Sequence, residues 1–288
     1  MKNLKITARF LIALSLPVLA MIGLATSVLV DSYRTRAAMT KVVTLAELAP
    51  VVSGLVHELQ KERGMSAGFI SSQGRSFADD LPGQRSRTDA ALDGLRTALA
   101  GTDLAGYGSE FSGGMQTALG RLGSLGDERK TVSSMAIAVP AMAKYYTGVI
   151  TELLALVDRA AGLSTSAEVT NAMIAYGAVL QGKERAGLER AVGASGLAAG
   201  AFTPGGYRDF VRLGAMQEAY LDRFLAASTP SERELMATLR KEPAFGDVDR
   251  LRQTALDSSL AGTPSGIPAS TWFAAATARI DLLKRLED

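Results

Sequence analysis

From Ser32 to the end of the chain, apolar residues recur at spacings of three and four, alanine and leucine dominate, and two-residue alternation of β-branched residues is scarce. A chain patterned this way has apolar stripes for helices and little from which to build a sheet, so the expected fold class is all-α. Breakers such as "SSQGRS" at 71 to 76, "AGTDLAGYG" at 100 to 108, "AFTPGGY" at 201 to 207 and "GTPSGIPAS" at 262 to 270 divide the pattern. The predicted helical segments are 33 to 71, 84 to 100, 106 to 124, 127 to 162, 167 to 199, 204 to 227, 230 to 241, 247 to 260 and 268 to 288. Thr203-Pro204 and Thr229-Pro230 stand where an N-cap and a first-turn proline belong, and Ser166 with Glu168 marks another start. Long helices on short loops favour antiparallel neighbours. The length suits two packed antiparallel helical bundles with long shared helices better than one.

Ahead of that region, Phe10 to Val30 runs for 21 residues without a charge, behind Lys2, Lys5 and Arg9. A helix of about 20 apolar residues is long enough to cross a hydrocarbon core, and leading cations favour a cytoplasmic N-terminus. The run exceeds the roughly 7 to 15 residues of a signal-peptide core, which favours an uncleaved anchor. The expected organisation is a cytoplasmic N-terminus at 1 to 9, a transmembrane helix at 10 to 30, and an extracytoplasmic helical sensor domain at 31 to 288. The chain would then sit in the inner membrane, with that domain in the periplasm or outside. The last segment, "STWFAAATARIDLLKRLED", reads as an amphipathic helix that stops without a loop or cap; the expectation is that residue 288 is a truncation point, and a continuation into a second span would make this an anchored receptor.

Charge and composition narrow the function. The 31 basic and 29 acidic residues nearly balance, without the basic excess of a nucleic-acid binder, so nucleic acid is not an expected partner. Cysteine is absent and His57 is the single histidine, which leaves no material for the usual transition-metal or nucleophile-base sites. No catalytic residue, metal or cofactor is expected, and the chain does not read as an enzyme. "DERK" at 127 to 130 reads as a solvated helix start.

The informative feature is charge on an apolar stripe. In "LVHELQKERGMSAGFI", Leu55 to Ile70, the stripe Val52, Leu55, Leu59, Ser66, Ile70 passes through positions 62 and 63, which are Glu62 and Arg63. A buried charge without a partner is costly. The phrase "LQKERG" at 59 to 64 recurs as "LQGKERAG" at 180 to 187, where Glu184 also interrupts an apolar line. Gly64, Gly68, Gly182 and Gly187 each weaken a helix by about 1 kcal/mol relative to alanine, a cost that close helix approach would offset. Three arrangements fit: an ion-pair network of Glu62 with Arg185 and Glu184 with Arg63, a small-anion site made by surplus cations, or a solvated face. Lys61, Arg63, Lys183, Arg185 and Arg190 outnumber Glu62, Glu184 and Glu189, and guanidinium forks suit planar oxyanions.

These residues also resemble a known family. "LVHELQKERGMSAGFISSQGRSFADDLPGQRSRTDAAL", "LQGKERAGLERAVGASGLAAGAFTPGGYRDFVRL" and "WFAAATARIDLLKRLED" look like the NIT (nitrate- and nitrite-sensing) domain, in order, over roughly residues 40 to 288. The resemblance implies an all-helical sensor of two packed bundles that binds nitrate or nitrite. It further implies ligand arginines at Arg63 and Arg185, then Arg190, with Lys61 and Lys183 as supporting charges. Combined with the apolar N-terminus, it suggests the sensor part of a membrane receptor, most like a methyl-accepting chemotaxis protein, with a homodimer as the expected assembly. The alternative is a ligand-free helical interaction or dimerisation module that relays the state of a partner protein.

Overall fold

The computed structural model describes residues 6–287 apart from residue 165, and the described residues form helices and connecting turns only. Helix α1 spans Ile6–Ser71 as one 66-residue rod. It is followed by α2 (Asp80–Leu99), a 3-10 turn (Leu104–Tyr107), α3 (Ser109–Gly123), α4 (Leu125–Ser133), α5 (Val139–Ala161) and α6 (Ala167–Ala198). The chain continues through α7 (Pro204–Ala227), α8 (Pro230–Leu239), α9 (Pro243–Leu260) and α10 (Ala269–Glu287).

The helix starts follow the local chemistry of the sequence. The Ser166 hydroxyl accepts from Val169 N, Thr203 from Gly206 N, and Thr229 forms a full capping box with Glu232. Each side-chain cap satisfies one of the backbone donors that a helix start leaves open. The predicted segment 127 to 162 is two helices. Met135 adopts the left-handed conformation with φ 54°, and Pro140 sits in the first turn of α5. Proline has no amide hydrogen to continue a preceding helix, so the break falls before it. The helix predicted from 247 likewise begins at Pro243, another first-turn proline.

The core lies in two regions that share α6. One side gathers Leu55, Leu59, Leu95, Met115, Met142, Tyr146, Ile150 and Leu153, and Leu180 of α6 belongs to it. On the other side Ala178, Val179 and Ala186 of α6 pack with Leu221, Phe224, Met236 and Leu283. Beyond them, Phe210 meets the Trp272 indole edge-on at 5.1 Å, and the indole nitrogen donates to the Arg190 carbonyl at 3.0 Å. Gly193 permits this seat for Trp272, because a Cβ there would collide with the indole. The spacing of α6 thus serves two cores at once, which puts its middle, residues 180 to 190, between them.

The membrane anchor expected at Phe10 to Val30 is not upheld. The run lies on α1, with the side chains of residues 10–13 and 16 outside the described set. Among the described residues no helix is long and apolar enough to cross a membrane. Freedom from charge over that length is a weaker property than sustained apolarity, and the segment continues into the rest of α1 without a break.

Candidate functional site

Glu62 and Arg63 are consecutive on α1, about 100° apart around the helix axis, and both are buried. They face different neighbours. Glu62 points toward α2, α4 and α5. Its carboxylate accepts from Arg129 Nε at 2.8 Å, from Arg129 Nη2 at 2.9 Å and from the Tyr146 hydroxyl at 2.8 Å. Arg85 Nε stands 3.9 Å away, and Arg129 also bonds Asp89 at 2.6 Å. Burial alone would raise the Glu62 carboxyl, but the hydrogen bonds and charge of Arg129 overcome it and hold the group below the usual carboxylate range. Burial, and then the Glu62 charge, push the Tyr146 hydroxyl well above its ordinary value, so it remains a donor.

Arg63 points toward α5 and α6. It grips Glu184 end-on, Nη1 to Oε1 at 2.6 Å and Nη2 to Oε2 at 3.0 Å, and Nη1 also donates to Thr147 Oγ1 at 2.8 Å. Gln60 Nε2 donates to the second Glu184 oxygen at 2.8 Å. Among the described residues, Arg63 Nε and the second Nη2 proton have no acceptor, so the side-on edge of the guanidinium is open. Gly187 lies against that edge, where a Cβ would stand 3.6 Å from Nη2.

One turn further along α6 is Arg190. Its guanidinium lies over the Phe273 ring at 4.6 Å, and Nη1 donates to Thr277 Oγ1 at 2.8 Å, both on α10. No carboxylate among the described residues forms an ion pair with it. Burial and then the Arg63 charge draw its pKa below the ordinary value, opposed only weakly by exposed Asp281. An arginine so placed still carries its charge at neutral pH. Gly187, against the Arg63 fork, stands one turn before Arg190 on α6, so the two cations share one end of the α1–α6 contact, where Glu184 is the carboxylate paired with Arg63.

The other predicted residues go elsewhere. Arg185 stacks over Tyr220 at 5.0 Å and bonds Gln181, so the expected Glu62–Arg185 pair does not form. One residue of helix advance turns Arg185 toward α7, and Arg129 of α4 takes its place on Glu62. Lys183 is buried on Glu287 of α10, which Ser53 and Lys284 also bond. Lys61 is exposed beside Glu58 at 3.7 Å. Glu189 is held by Arg252, whose Nη2 reaches Oε2 at 2.9 Å, and by Gln217 at 2.7 Å. The predicted Arg63–Glu184 pair does form. Sequence reasoning missed Arg129, Arg85, Arg252, Thr147 and Thr277. "DERK" gives no periodic sign of burial, yet the Arg129 side chain is only 14% exposed because Glu62 draws it inward. A cleft of about 340 Å³ beside Phe202 and Ser258 has no charged side chain in its lining, and one of about 550 Å³ has Glu110, Asp158 and Arg159 in its lining and neither Arg63 nor Arg190.

The family description of nitrate and nitrite sensing, NIT, matches residues 54–288. A nitrate regulatory protein of Klebsiella oxytoca is 30% identical over 248 residues, which is 84% of this chain and 60% of that protein. This chain thus spans less than two thirds of that relative's length. The solved structure of the NasR transcription antiterminator matches with a TM-score of 0.80 at 27% identity, over 91% of this chain and 71% of that one.

These relatives correct the receptor reading. They are regulators, one of them a transcription antiterminator, rather than chemoreceptors. The chemotaxis setting, the membrane anchoring and the inner-membrane location with an outside sensor are therefore not retained, and nucleic acid is no longer excluded as a partner. The reason is physical: a charge-free helix and a near-neutral net charge describe bulk properties, and neither identifies what surrounds a sensing module. The family resemblance read from the motifs is upheld, and the chain belongs to the NIT family of nitrate and nitrite sensing.

Proposed function

We propose that this chain is the nitrate- and nitrite-sensing part of a regulatory protein, holding a planar monovalent oxyanion between α1 and α6. Its reading as two packed antiparallel bundles, which the two core regions along α6 support, places the anion at the seam of both. The observation that carries the proposal is Arg190: a cation placed beside Arg63, with a threonine and a phenyl ring as its neighbours instead of a carboxylate. The anion would lie side-on against Arg63 Nε and Nη2 and take further donors from Arg190. Lys183 and Lys61 are each balanced by a glutamate, Glu287 and Glu58, and Arg185 is turned away to Tyr220 of α7, so these three do not contact the anion. The role is binding without turnover.

The same geometry supplies a transmission step. Arg190 spends its donor and its ring contact on α10. An anion that draws it toward Arg63 weakens that hold and shifts α10 relative to α6. A ligand moves such an equilibrium only through different affinity for the two arrangements, and the loss or retention of the Thr277 contact is that difference.

Calorimetry of the full chain with sodium nitrate and sodium nitrite, with chloride at matched ionic strength as the reference, tests the reading. Arg63→Ala and Arg190→Ala should each weaken nitrate binding by about tenfold or more, as for loss of a charge-assisted hydrogen bond of roughly 1.5 kcal/mol or more. Equal melting temperatures in nitrate and chloride, with no heat of binding, would instead support the ligand-free interaction module.

A further inference from the structure

We infer that Glu184 is the residue that makes this site select singly charged over doubly charged oxyanions. The inference rests on the anion site proposed above. Arg63, against Gly187 of α6, and Arg190, one turn further on that helix with only Thr277 and the Phe273 ring as partners, bring two positive charges, and Glu184, bound end-on by Arg63, cancels one of them. One positive charge is left, and one monovalent anion balances it.

Glu184 is 1% exposed, so its charge acts in a medium where imbalance is poorly screened. A divalent oxyanion in the same place would leave an uncompensated negative charge facing the Glu184 carboxylate. The geometry keeps the two tasks apart. Glu184 occupies the end of the Arg63 fork, and the side-on edge with Nε stays open for ligand. Thr147 and Gln60 fix the pair from either side, which stops the carboxylate from swinging away when an anion arrives. Glu184 is thus a positioning and selectivity residue that contacts Arg63 and does not contact the anion.

The remaining acidic groups do not disturb this balance. Glu62 is committed to Arg129 and Tyr146 on the far side of α1, and Glu189 to Arg252 and Gln217. Asp281 is exposed and acts on Arg190 from solvent.

The test compares sodium nitrate with sodium sulfate on the full chain at constant ionic strength, in the wild type, Glu184→Gln and Glu184→Asp. Wild type should prefer nitrate. Glu184→Gln should shift the sulfate-to-nitrate affinity ratio toward sulfate by about tenfold or more, as expected for removing one poorly screened like charge. Glu184→Asp keeps the charge and should keep the nitrate preference even if both affinities fall. A merely structural role predicts the same ratio in all three proteins. An unchanged ratio in Glu184→Gln, with nitrate binding intact and abolished by Arg190→Ala, overturns the inference and leaves the anion site standing. Absence of nitrate binding in the wild type overturns both. If Glu184→Gln does not fold, wild type and Glu184→Asp still decide: sulfate binding as tight as nitrate in either rejects the selectivity.

Discussion

Glu62 and Arg63 are neighbours on one helix, and both are buried, yet they anchor two clusters of opposite character. Around Glu62, two arginines meet two carboxylates, since Asp89 takes the remaining edge of Arg129. Around Arg63, two arginines meet one carboxylate, and the second guanidinium rests on a hydroxyl and a ring. A closed cluster of the first kind fixes the register of four helices. An open one of the second kind holds a charge in reserve, which suits a ligand better than it suits folding. The contrast teaches that buried charge alone does not mark a site, and that incomplete compensation is what the proposed anion site rests on.

The largest expected effect separates the two clusters by stability. Glu62→Gln should destabilise the fold by about 3 kcal/mol, because it removes the buried carboxylate of the cluster and leaves the Arg129 guanidinium only the half-exposed Asp89 as a charged partner. Arg190→Met should cost less than about 1 kcal/mol, because it removes a cation that had no carboxylate to lose and leaves an apolar chain over Phe273. Urea denaturation of the two variants measures both. Equal losses would mean that the Arg190 cluster is as structural as the Glu62 cluster.

Acid should expose the same contrast at a smaller scale. The folded-state pKa values of Glu62 and Glu287 lie below their unfolded ones, through Arg129 for the first and Lys183 for the second. Their stabilisation is therefore complete above the unfolded carboxylate range and is lost as pH falls through the lower folded values. His57 adds to it, because burial and the nearby Lys183 and Lys61 charges depress its pKa. The unfolded chain takes up that proton first, so stability begins to fall below pH 6.5, the ordinary histidine value. Melting temperature against pH should decline in two stages, and Glu62→Gln should flatten the lower one. A lower stage unchanged in that variant would contradict the closed cluster.

Much of this was legible in the sequence, for reasons particular to certain residues. Helix starts at Ser166, Thr203 and Thr229 are local chemistry, and local chemistry is written in adjacent letters. The Arg63–Glu184 pair was legible because two copies of one motif sit on apolar stripes of long helices. The Glu62–Arg129 pair was not. Arg129 lies on the nine-residue helix α4, where the charged "DERK" conceals which side chain turns inward. Arg185 and Arg190 read alike as basic residues of one helix, but only their angular positions separate a residue on Tyr220 from one beside Arg63. The apolar run at 10 to 30 told of helix and of apolarity; the setting inferred from it required information that periodicity does not hold.

The smallest expected effect concerns two glycines at the open cluster. Nothing lies within 4 Å of a Cβ placed on Gly64, so Gly64→Ala should stabilise α1 by about 1 kcal/mol and leave nitrate affinity unchanged. A Cβ on Gly187 would stand 3.6 Å from Arg63 Nη2, an ordinary contact that the ligand-free fold accommodates. Gly187→Ala should therefore gain stability of similar size, yet its methyl occupies the space beside the side-on edge of Arg63. Nitrate binding by calorimetry should weaken in Gly187→Ala by a few fold while its melting temperature rises. Equal nitrate affinity in the two variants would place the anion away from Nη2 and remove Arg63's open edge from the site; a matched rise in stability with affinity lost only at 187 would locate the ligand on the α6 side of Arg63, where Arg190 waits one turn away.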